Sequence, residues 1–239
     1  MSNINFYELK DVKKHLPKTV DKQKEFTGMS VDSRILICGA SGSGKTNALM
    51  NYIQKSGEPA KGTFKHIFLC FKTIEPLYSF LSDQLEDDIT TFRSLQEFPN
   101  CASFPDQNEK SKDKYLLIFD DCINDDSKAD IKKINEFFAF GRKKSLTIMF
   151  LSQSYFKTAM FIRQNIGYVL LTSIASKKDL SRITKEYSFG DVTGDDISNL
   201  FDIATQKESE SDMPFFKIDL GNVKMDVKFS RNFTEYFEL

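Results

Sequence analysis

The chain has 239 residues, of which 40% are hydrophobic and 13% aromatic, enough to bury the core of one α/β domain with embellishments. Its formal net charge is −1, so the overall field does not attract nucleic acid, and any DNA contact has to come from local basic segments. No apolar run approaches the roughly 20 residues that cross a bilayer, and residues 1–5 contain no signal-peptide core, so we expect a soluble, intracellular protein without a membrane partner.

The chain begins with a lysine-rich segment. Residues 1–30 are interrupted by Leu16-Pro17 and predict an N-terminal arm laid on a core domain of residues 31–239. The four cysteines show no C-x-x-C spacing and only two histidines are present, so no zinc site is expected. Cys38 and Cys70 fall in strand-like runs and are expected to be small core residues.

Beyond the arm, apolar runs alternate with helix-like segments. In chain order, strands are predicted at 34–38, 66–71, 89–93, 115–119, 146–151 and 167–171, with helices at 46–55, 75–86 and 128–140 and two more within 176–206. Residues 99–113 predict a mobile polar excursion, and 214–220 with 223–230 predict a β-hairpin turning at Gly221-Asn222. Continuously apolar strands alternating with helices are typical of a parallel sheet covered on both faces. The predicted fold is therefore an α/β three-layer sandwich with a mainly parallel central sheet and a C-terminal β-hairpin.

A complete G-x-x-x-x-G-K-T phosphate-binding loop lies between the first strand and the first helix. Its residues are Gly39, Ala40, Ser41, Gly42, Ser43, Gly44, Lys45 and Thr46, followed by Asn47 in the helix. The glycines let backbone N–H groups surround the phosphates, and the helix N-terminus adds positive potential. Lys45 is predicted to reach the β- and γ-phosphates, and Thr46 to place its hydroxyl on Mg²⁺. The loop therefore predicts a P-loop NTPase that binds ATP or GTP.

Two acids end the strand at 115–119, at the position where α/β sheets place their ligands. Asp120 is predicted to hold Mg²⁺ through water, and Asp121 to polarise the water that attacks the γ-phosphate. The strand at 66–71 intervenes between the two motifs in the chain, and about 75 residues separate Thr46 from Asp121. That separation leaves room for an additional strand wedged between the motifs, an order that favours a motor-type ATPase over a GTPase.

The order of the predicted elements indicates three further candidate site residues. Gln153, directly after the strand at 146–151, is predicted to sense the γ-phosphate and to orient water. Arg142 ends a helix just before that strand, so it cannot easily reach its own nucleotide but is placed to enter a neighbour's site as an arginine finger. Arg163 is the competing finger. Either arginine is alternatively a helix-end charge that favours the macrodipole.

The combined motifs resemble a known family. They are Gly39–Thr46, Leu117-Ile118-Phe119-Asp120-Asp121, Gly141-Arg142, Ser152-Gln153 and Ile162-Arg163-Gln164-Asn165. Over about residues 30–235 the chain is similar to genome-packaging ATPases of the FtsK/HerA superfamily, particularly the compact ones of poxviruses, other large DNA viruses, virophages and related transposons. Many members have Asp-Glu where this chain has Asp120-Asp121, which makes the second carboxylate one methylene shorter here.

The resemblance implies an ATP-driven translocase that threads double-stranded DNA into a preformed capsid. It implies a homo-oligomeric ring, a pentamer or hexamer, with Mg²⁺ and ATP bound by the residues named above and with capsid or portal-vertex proteins as partners. It also implies a place in the host cytoplasm or viral factory, or in association with the virion. Candidates for gripping DNA are Lys143-Lys144, Lys157, Lys177-Lys178 and the 10–24 segment, each of which is alternatively a solvated charged face.

Two other functions are compatible with the same phosphate loop. A nucleotide or nucleoside kinase has a suitable length, but it needs an arginine-rich lid and an acceptor pocket, which the sequence does not clearly show. A nucleotide-gated capsid assembly factor would bind ATP and hydrolyse it slowly. DNA-independent phosphoryl transfer to a small acceptor would indicate the kinase, and ATP-dependent oligomers whose turnover ignores DNA would indicate the assembly factor.

Overall fold

The computed structural model describes residues 10–13, 22–58, 62–107, 113–122, 127–173, 177–222 and 224–238. The helices in these ranges are α1 Lys10–Lys13, α2 Lys24–Thr27, α3 Lys45–Gly57, α4 Pro76–Leu85, α5 Lys128–Phe140, α6 Met160–Asn165, α7 Lys177–Glu186 and α8 Gly194–Thr205. The strands are β1 Arg34–Cys38, β2 His66–Phe71, β3 Ile89–Phe92, β4 Tyr115–Asp120, β5 Leu146–Ser152, β6 Tyr168–Leu171, β7 Phe216–Asp219, β8 Phe229–Arg231 and β9 Glu235–Tyr236. None of these helices is long and apolar enough to cross a bilayer.

Within the described ranges, the strands form one sheet in the order β3-β2-β4-β5-β1-β6-β7-β8-β9. Strands β1 to β6 are parallel, and β7, β8 and β9 add an antiparallel edge. A strand does separate the two nucleotide motifs, but the prediction that the residues between Thr46 and Asp121 supply it is wrong: the strand is β5, which follows Asp121 in the chain and pairs with β1 on one side and β4 on the other. The 66–71 strand, β2, lies on the far side of β4. The register aligns Cys38 with Ser152 and Asp120 with Leu151, so the carboxyl ends of β1, β4 and β5 meet at one edge.

Helices cover both faces of the sheet and confirm the three-layer sandwich. On one face, α3 and α4 bury side chains that include Leu49, Tyr52 and Tyr78. On the other, α5, α6, α7 and α8 bury side chains that include Phe137 and Ile162. Every residue of β5 is buried, which explains why its sequence reads as a continuous apolar run.

The predicted hairpin forms, but its predicted turn is wrong. β7 and β8 pair antiparallel, with Phe216 opposite Arg231, and the connection between them contains a helical turn at Met225–Val227. The carboxylate of Asp219 accepts a hydrogen bond from the Gly221 N–H at 3.0 Å, and Lys228 Nζ reaches back to the Asp219 carbonyl oxygen. These bonds hold a wider loop in place of a two-residue turn at Gly221-Asn222.

Part of the predicted excursion at 99–113 is core. Cys101 and Phe104 are only 3% and 6% exposed, and the Phe104 ring packs edge-on against Phe68. Aromatic burial therefore ties this segment to the sheet, although its composition is polar. Residues 108–112 lie outside the described ranges.

The described end of the predicted arm packs against α3. Gln23 is 1% exposed and its side-chain amide donates to the hydroxyl of Tyr52 at 2.7 Å. Met29 is fully buried in the same cluster. Residues 1–9 and 14–21 of the arm lie outside the described ranges, so the division at residue 30 remains a prediction. Cys38 and Cys70 are fully buried, as expected of core residues, and burial raises the pKa of Cys38 to about 12.

Candidate active site

The loop between β1 and α3 has the backbone that phosphate binding requires. Gly42 and Gly44 have φ values of 71° and 96°, in the left-handed region that favours glycine. A Cβ at Gly39 would lie 1.8 Å from the hydroxyl oxygen of Thr172, so no side chain fits there. Ser41 at the loop tip is exposed, whereas Ala40 donates its N–H to the Ser173 carbonyl at 2.9 Å and is fixed to the end of β6. The loop opens onto the N-terminus of α3, a helix of 13 residues.

Lys45 is folded onto its own loop. Its ammonium donates to the carbonyl oxygens of Gly39 and Ala40, both at 3.0 Å. A phosphate in the loop offers charged oxygens, which make stronger hydrogen bonds with an ammonium than neutral carbonyls do. Ser43 and Thr172 form a hydroxyl pair at 2.6 Å that braces the loop against β6. Asn47 lies in the first turn of α3, where its carbonyl accepts from the Asn51 side chain at 2.8 Å.

Thr46 and Asp120, the predicted Mg²⁺ ligands, each contact a side chain at the start of α4. The Thr46 hydroxyl donates to Glu75 Oε2 at 2.7 Å, and the Tyr78 hydroxyl donates to Asp120 Oδ2 at 2.6 Å. Burial raises the pKa of Asp120 to about 6; the charges of Asp121 and Glu75 act in the same direction, and the Tyr78 hydrogen bond opposes it. Burial and the Asp120 charge raise the pKa of Tyr78, which keeps this hydroxyl a donor.

This donor set fits magnesium. It consists of one hydroxyl and carboxylates gathered at the carboxyl edge of the sheet, and Mg²⁺ prefers oxygen ligands, typically one or two carboxylates together with substrate phosphates. Thr46 and Asp120 would hold the ion, with Glu75 beside them.

Asp121 and Gln153 lie together, as their predicted roles require. The Gln153 side-chain amide donates to Asp121 Oδ2 at 2.8 Å, and both side chains are exposed. They line a cleft of about 610 Å³ with Lys72 and Lys157. Asp121 has a φ of 46°, which turns the chain sharply at the end of β4. A carboxylate held by an amide at the edge of an open cleft has access to water, which it can polarise.

The two candidate fingers have different surroundings. Arg142 is exposed in the helical turn Gly141–Lys144, where β5 begins, and the length of β5 places it roughly 20 Å from the carboxyl edge. Arg163 is 5% exposed, pairs with Glu186 at 3.0 Å and donates to the carbonyl oxygens of Phe156 and Thr158. Arg142 is thus solvent-facing and remote from its own nucleotide loop, whereas Arg163 is engaged inside its own subunit. Of the two, this geometry favours Arg142.

The candidate DNA-gripping lysines that the structure describes have different surroundings. Lys143 and Lys157 are exposed, and Lys144 pairs with Asp106 at 2.9 Å and donates to the Phe104 carbonyl. Lys178 is exposed at the start of α7, and the side chain of Lys177 lies outside the described residues. Most of the 10–24 segment also lies outside them.

Four residues that sequence reasoning missed contribute to the site: Glu75, Tyr78, Thr172 and Met213. Glu75 has a signal in the sequence, since it follows β2 directly before a helix-starting proline, and β2 ends beside Asp120. Thr172 similarly follows β6. Met213 carries no such signal; it comes from the segment before β7, and its side chain lies 3.3 Å from the position that a Cβ of Gly44 would take. Only the paired sheet edge brings these elements together.

Comparison with known proteins agrees with this geometry. The family model described as Poxvirus A32 protein matches residues 23–213. Solved structures with the same fold include the DNA-packaging ATPase B204 of Sulfolobus Turreted Icosahedral Virus, with a TM-score of 0.55 and 13% identity over 85% of this chain and 98% of that one. The genome packaging NTPase B204 of Sulfolobus turreted icosahedral virus 2, in complex with sulfate, has a TM-score of 0.58 and 14% sequence identity, covering 88% of this chain and 100% of that one.

A further solved structure has a similar fold. ATPases 2 and 3 of Thermomonospora curvata EccC, in complex with a signal sequence peptide, give a TM-score of 0.52 and 12% identity over 85% of this chain and 38% of that one. No curated protein sequence matches this chain significantly. The family match spans most of the chain and includes the phosphate loop, both acids, Gln153 and both arginines, and it confirms the resemblance seen in the sequence. The chain belongs to the Poxvirus A32 protein family, a family of viral packaging ATPases.

Proposed function

We propose that this protein hydrolyses ATP to translocate double-stranded DNA and packages a viral genome into a preformed capsid. The observation that carries the proposal is the joint placement of the phosphate loop, Asp120-Asp121 and Gln153 at one sheet edge, with β5 between β1 and β4. Membership of the Poxvirus A32 family and the shared fold of the B204 packaging ATPase support it.

Different residues of this chain bind the phosphates, accept the proton and orient the water. The loop N–H groups and Lys45 bind the β- and γ-phosphates of ATP, and Lys45 exchanges its two carbonyl partners for phosphate oxygens. Asp121 accepts a proton from the attacking water, and Gln153 orients both the carboxylate and the water. Thr46 and Asp120 would hold Mg²⁺, which would supply positive charge to offset the charge that develops on the phosphates.

Arg142 completes the site from the neighbouring subunit of a homo-oligomeric ring. Its exposure and its distance from its own loop support a role in trans. A finger of this kind is worth several orders of magnitude in rate, so hydrolysis depends on assembly. The partners proposed are double-stranded DNA and proteins of the capsid or portal vertex, in the host cytoplasm or viral factory.

ATPase turnover with and without double-stranded DNA tests the proposal. We expect turnover to rise with DNA in the wild-type chain and to be lost in Lys45→Ala, which should remain folded because, among the described residues, the Lys45 ammonium donates to carbonyls of its own loop. Turnover that ignores DNA would contradict the translocase. Phosphoryl transfer to a small acceptor without DNA would identify a kinase, and slow turnover in ATP-dependent oligomers would identify an assembly factor.

A further inference from the structure

Two exposed apolar surfaces lie on opposite faces of the sheet. The first, the α4 stripe, consists of Ile74, Leu77 and Phe80, which are 55%, 37% and 55% exposed. The second, the α5–α6 groove, has a volume of about 390 Å³ and is bordered by Phe140 and Phe161, which are 52% and 38% exposed. Helix α4 packs its inner side on one face of the sheet and α5 and α6 pack on the other. The two surfaces therefore cannot cover each other within one chain.

The surfaces carry opposite charge. Residues 74–89, which contain the stripe, include five acidic residues (Glu75, Asp83, Glu86, Asp87 and Asp88) and no lysine or arginine. Residues 128–144, which contain α5 and the turn after it, include six basic and two acidic residues. Lys128, Lys132, Arg142 and Lys143 are exposed among them. The charged residues that line the groove are Lys128, Lys132 and Glu136, so it is net positive. An apolar stripe followed by acids and an apolar groove of net positive charge are complementary in both hydrophobicity and charge.

We propose that the α4 stripe of one subunit docks into the α5–α6 groove of a second copy of this chain. This deepens the proposed function and rests on its ring. Because the contact joins two different surfaces, it is head-to-tail, and every added subunit leaves one stripe and one groove free until the ring closes. Phe80 enters the groove, where Phe140 and Phe161 pack against it, and the acids that follow α4 face the exposed lysines of α5.

The contact links assembly to the nucleotide site from both sides. On the inner side of α4, next to the stripe, Glu75 bonds Thr46 and Tyr78 bonds Asp120. On the groove side, Arg142 follows Phe140 by two residues and is carried to the neighbour's α4 by the docking. The same interface therefore brings Arg142 to the neighbour and contacts α4, the helix at whose start Thr46 and Asp120 are hydrogen-bonded.

Complementation between two damaged surfaces tests this directly. The stripe variant is Leu77→Ser with Phe80→Ser, the groove variant is Phe140→Ser with Phe161→Ser, and the control is Ile203→Ser, a 55% exposed side chain of α8 outside both surfaces. Sedimentation velocity with Mg²⁺ and ATPγS reports assembly without using turnover or DNA. We expect rings from the wild type and the control, monomers from each variant alone, and dimers, with nothing larger, from an equal mixture of the two variants.

The mixture is decisive because only one intact stripe and one intact groove remain to pair. A monomeric mixture, ring assembly by either variant, or a wild type that stays monomeric would overturn the interface. Circular dichroism and thermal unfolding establish that each variant is folded. If the variants assemble like the wild type while turnover still responds to DNA, the interface is wrong and the proposed function stands. If wild-type turnover ignores DNA, the proposed function fails whatever the sedimentation shows.

Charge reversal gives a second test with surface substitutions that leave the core untouched. Lys128→Glu with Lys132→Glu places like charges across the contact, as does Asp87→Lys with Asp88→Lys, and each pair should weaken assembly about tenfold or more. Combining all four changes in one chain restores opposite charges with reversed sign and should recover assembly. A combined variant as weak as its parents would contradict the pairing of these two surfaces.

Discussion

At the scale of single residues, the two groups expected to hold the metal are already hydrogen-bonded to α4. Thr46 donates to Glu75, and Asp120 accepts from Tyr78. An ion bound by Thr46 and Asp120 has to share or replace these partners, since a hydroxyl oxygen and a carboxylate have limited lone pairs. Binding of an ion at Thr46 and Asp120 would therefore change the hydrogen bonds of Glu75, which immediately precedes α4, and of Tyr78 within α4.

We expect Asp121→Asn to retain ATP binding and to slow hydrolysis by at least about a hundredfold, the lower range for a positioned acid–base group. The amide keeps the shape of the side chain and its contact with Gln153 but cannot accept the proton of water. Single-turnover ATP hydrolysis beside a nucleotide-binding titration measures both effects. Asp202→Asn, an exposed acid on α8, is the matched control. Normal hydrolysis by Asp121→Asn would move the role to another acid, such as Asp125 or Asp126, which lie outside the described residues.

Without metal, Asp120 should make the protein less stable as the pH rises. Its pKa is about 6 in the folded chain and near 4 when unfolded, so the native state binds more protons between these values. The free energy of unfolding therefore falls by on the order of 2 kcal/mol as pH rises from about 4 to about 6. Asp120→Asn removes this contribution. Urea unfolding in EDTA should show the variant gaining stability relative to wild type across that window, and a constant difference would contradict the assignment.

The position of the phosphate loop was predictable because its residues are contiguous in the sequence and lie between an apolar strand and a helix. Asp120, Asp121 and Gln153 were predictable because each directly follows an apolar run, and parallel strands end at one edge. Glu75 and Tyr78 were not predicted, since their contacts depend on where α4 packs after β2. The packing of a helix cannot be predicted from single residues, so these supporting side chains are identified only once the fold is known.

At the scale of elements, α6 and α7 are joined by one polar cluster. Arg163 pairs with Glu186, which also accepts from Arg182 and from the hydroxyl of Tyr155 at 2.9 Å. Burial acts to raise the pKa of Glu186, but the hydrogen bonds from both arginines and the tyrosine outweigh it and hold that pKa below its usual range. The Tyr187 hydroxyl donates to the Arg163 carbonyl and closes the cluster. The cluster fixes the segment between β5 and β6, beside the Gln153 strand end.

Arg163→Ala should lower the free energy of unfolding by about 2–4 kcal/mol, because it leaves Glu186 partly buried without its main partner. Arg142→Ala, at an exposed position, should change it by less than about 0.5 kcal/mol. Urea unfolding of the two variants makes the comparison. An Arg163→Ala protein that keeps wild-type stability and loses turnover would identify Arg163, rather than Arg142, as the finger.

Elements were predicted correctly where hydrophobic periodicity and segment length agreed. The predictions failed where a side chain makes a contact that local composition does not reveal. β1 and α5 have the predicted bounds, and α4 differs by one residue at each end. The turn after β7 was wrong because Asp219 captures the Gly221 N–H, and the start of 99–113 was wrong because Phe104 is buried among distant rings. Both errors arise from contacts that local composition does not encode.

At the scale of the whole molecule, the phosphate loop and the proposed finger, Arg142, lie at opposite ends of the sheet. The nucleotide loop and the acids lie at the carboxyl edge, whereas Arg142 lies at the edge where β5 begins. One chain thus presents a site at one end and a candidate finger at the other. This arrangement suits a closed ring of identical subunits, in which each subunit receives a finger at its nucleotide site and supplies its own Arg142 to the next subunit.

Mixing Arg142→Ala with Lys45→Ala subunits should restore part of the ATPase activity, although neither variant is active alone. In a mixed ring, some interfaces pair an intact Lys45 loop with an intact Arg142, and only those turn over. Steady-state turnover across mixing ratios, on rings shown to be mixed by differential labelling, measures the recovery. Equal mixtures of each variant with wild type serve as controls. Absence of recovery counts against Arg142, and turnover per chain that is independent of protein concentration counts against any finger in trans.

The left-handed backbone at Asp121 places a limit on how stable this protein can be while remaining active. A non-glycine residue at a φ of 46° costs on the order of 1 kcal/mol, which glycine would avoid. Folding alone therefore favours replacing Asp121, the residue that we propose activates water. Selection for thermal resistance without selection for turnover should therefore favour glycine at this position, and under the proposed mechanism a lineage that acquired Asp121→Gly would gain stability and lose ATP hydrolysis.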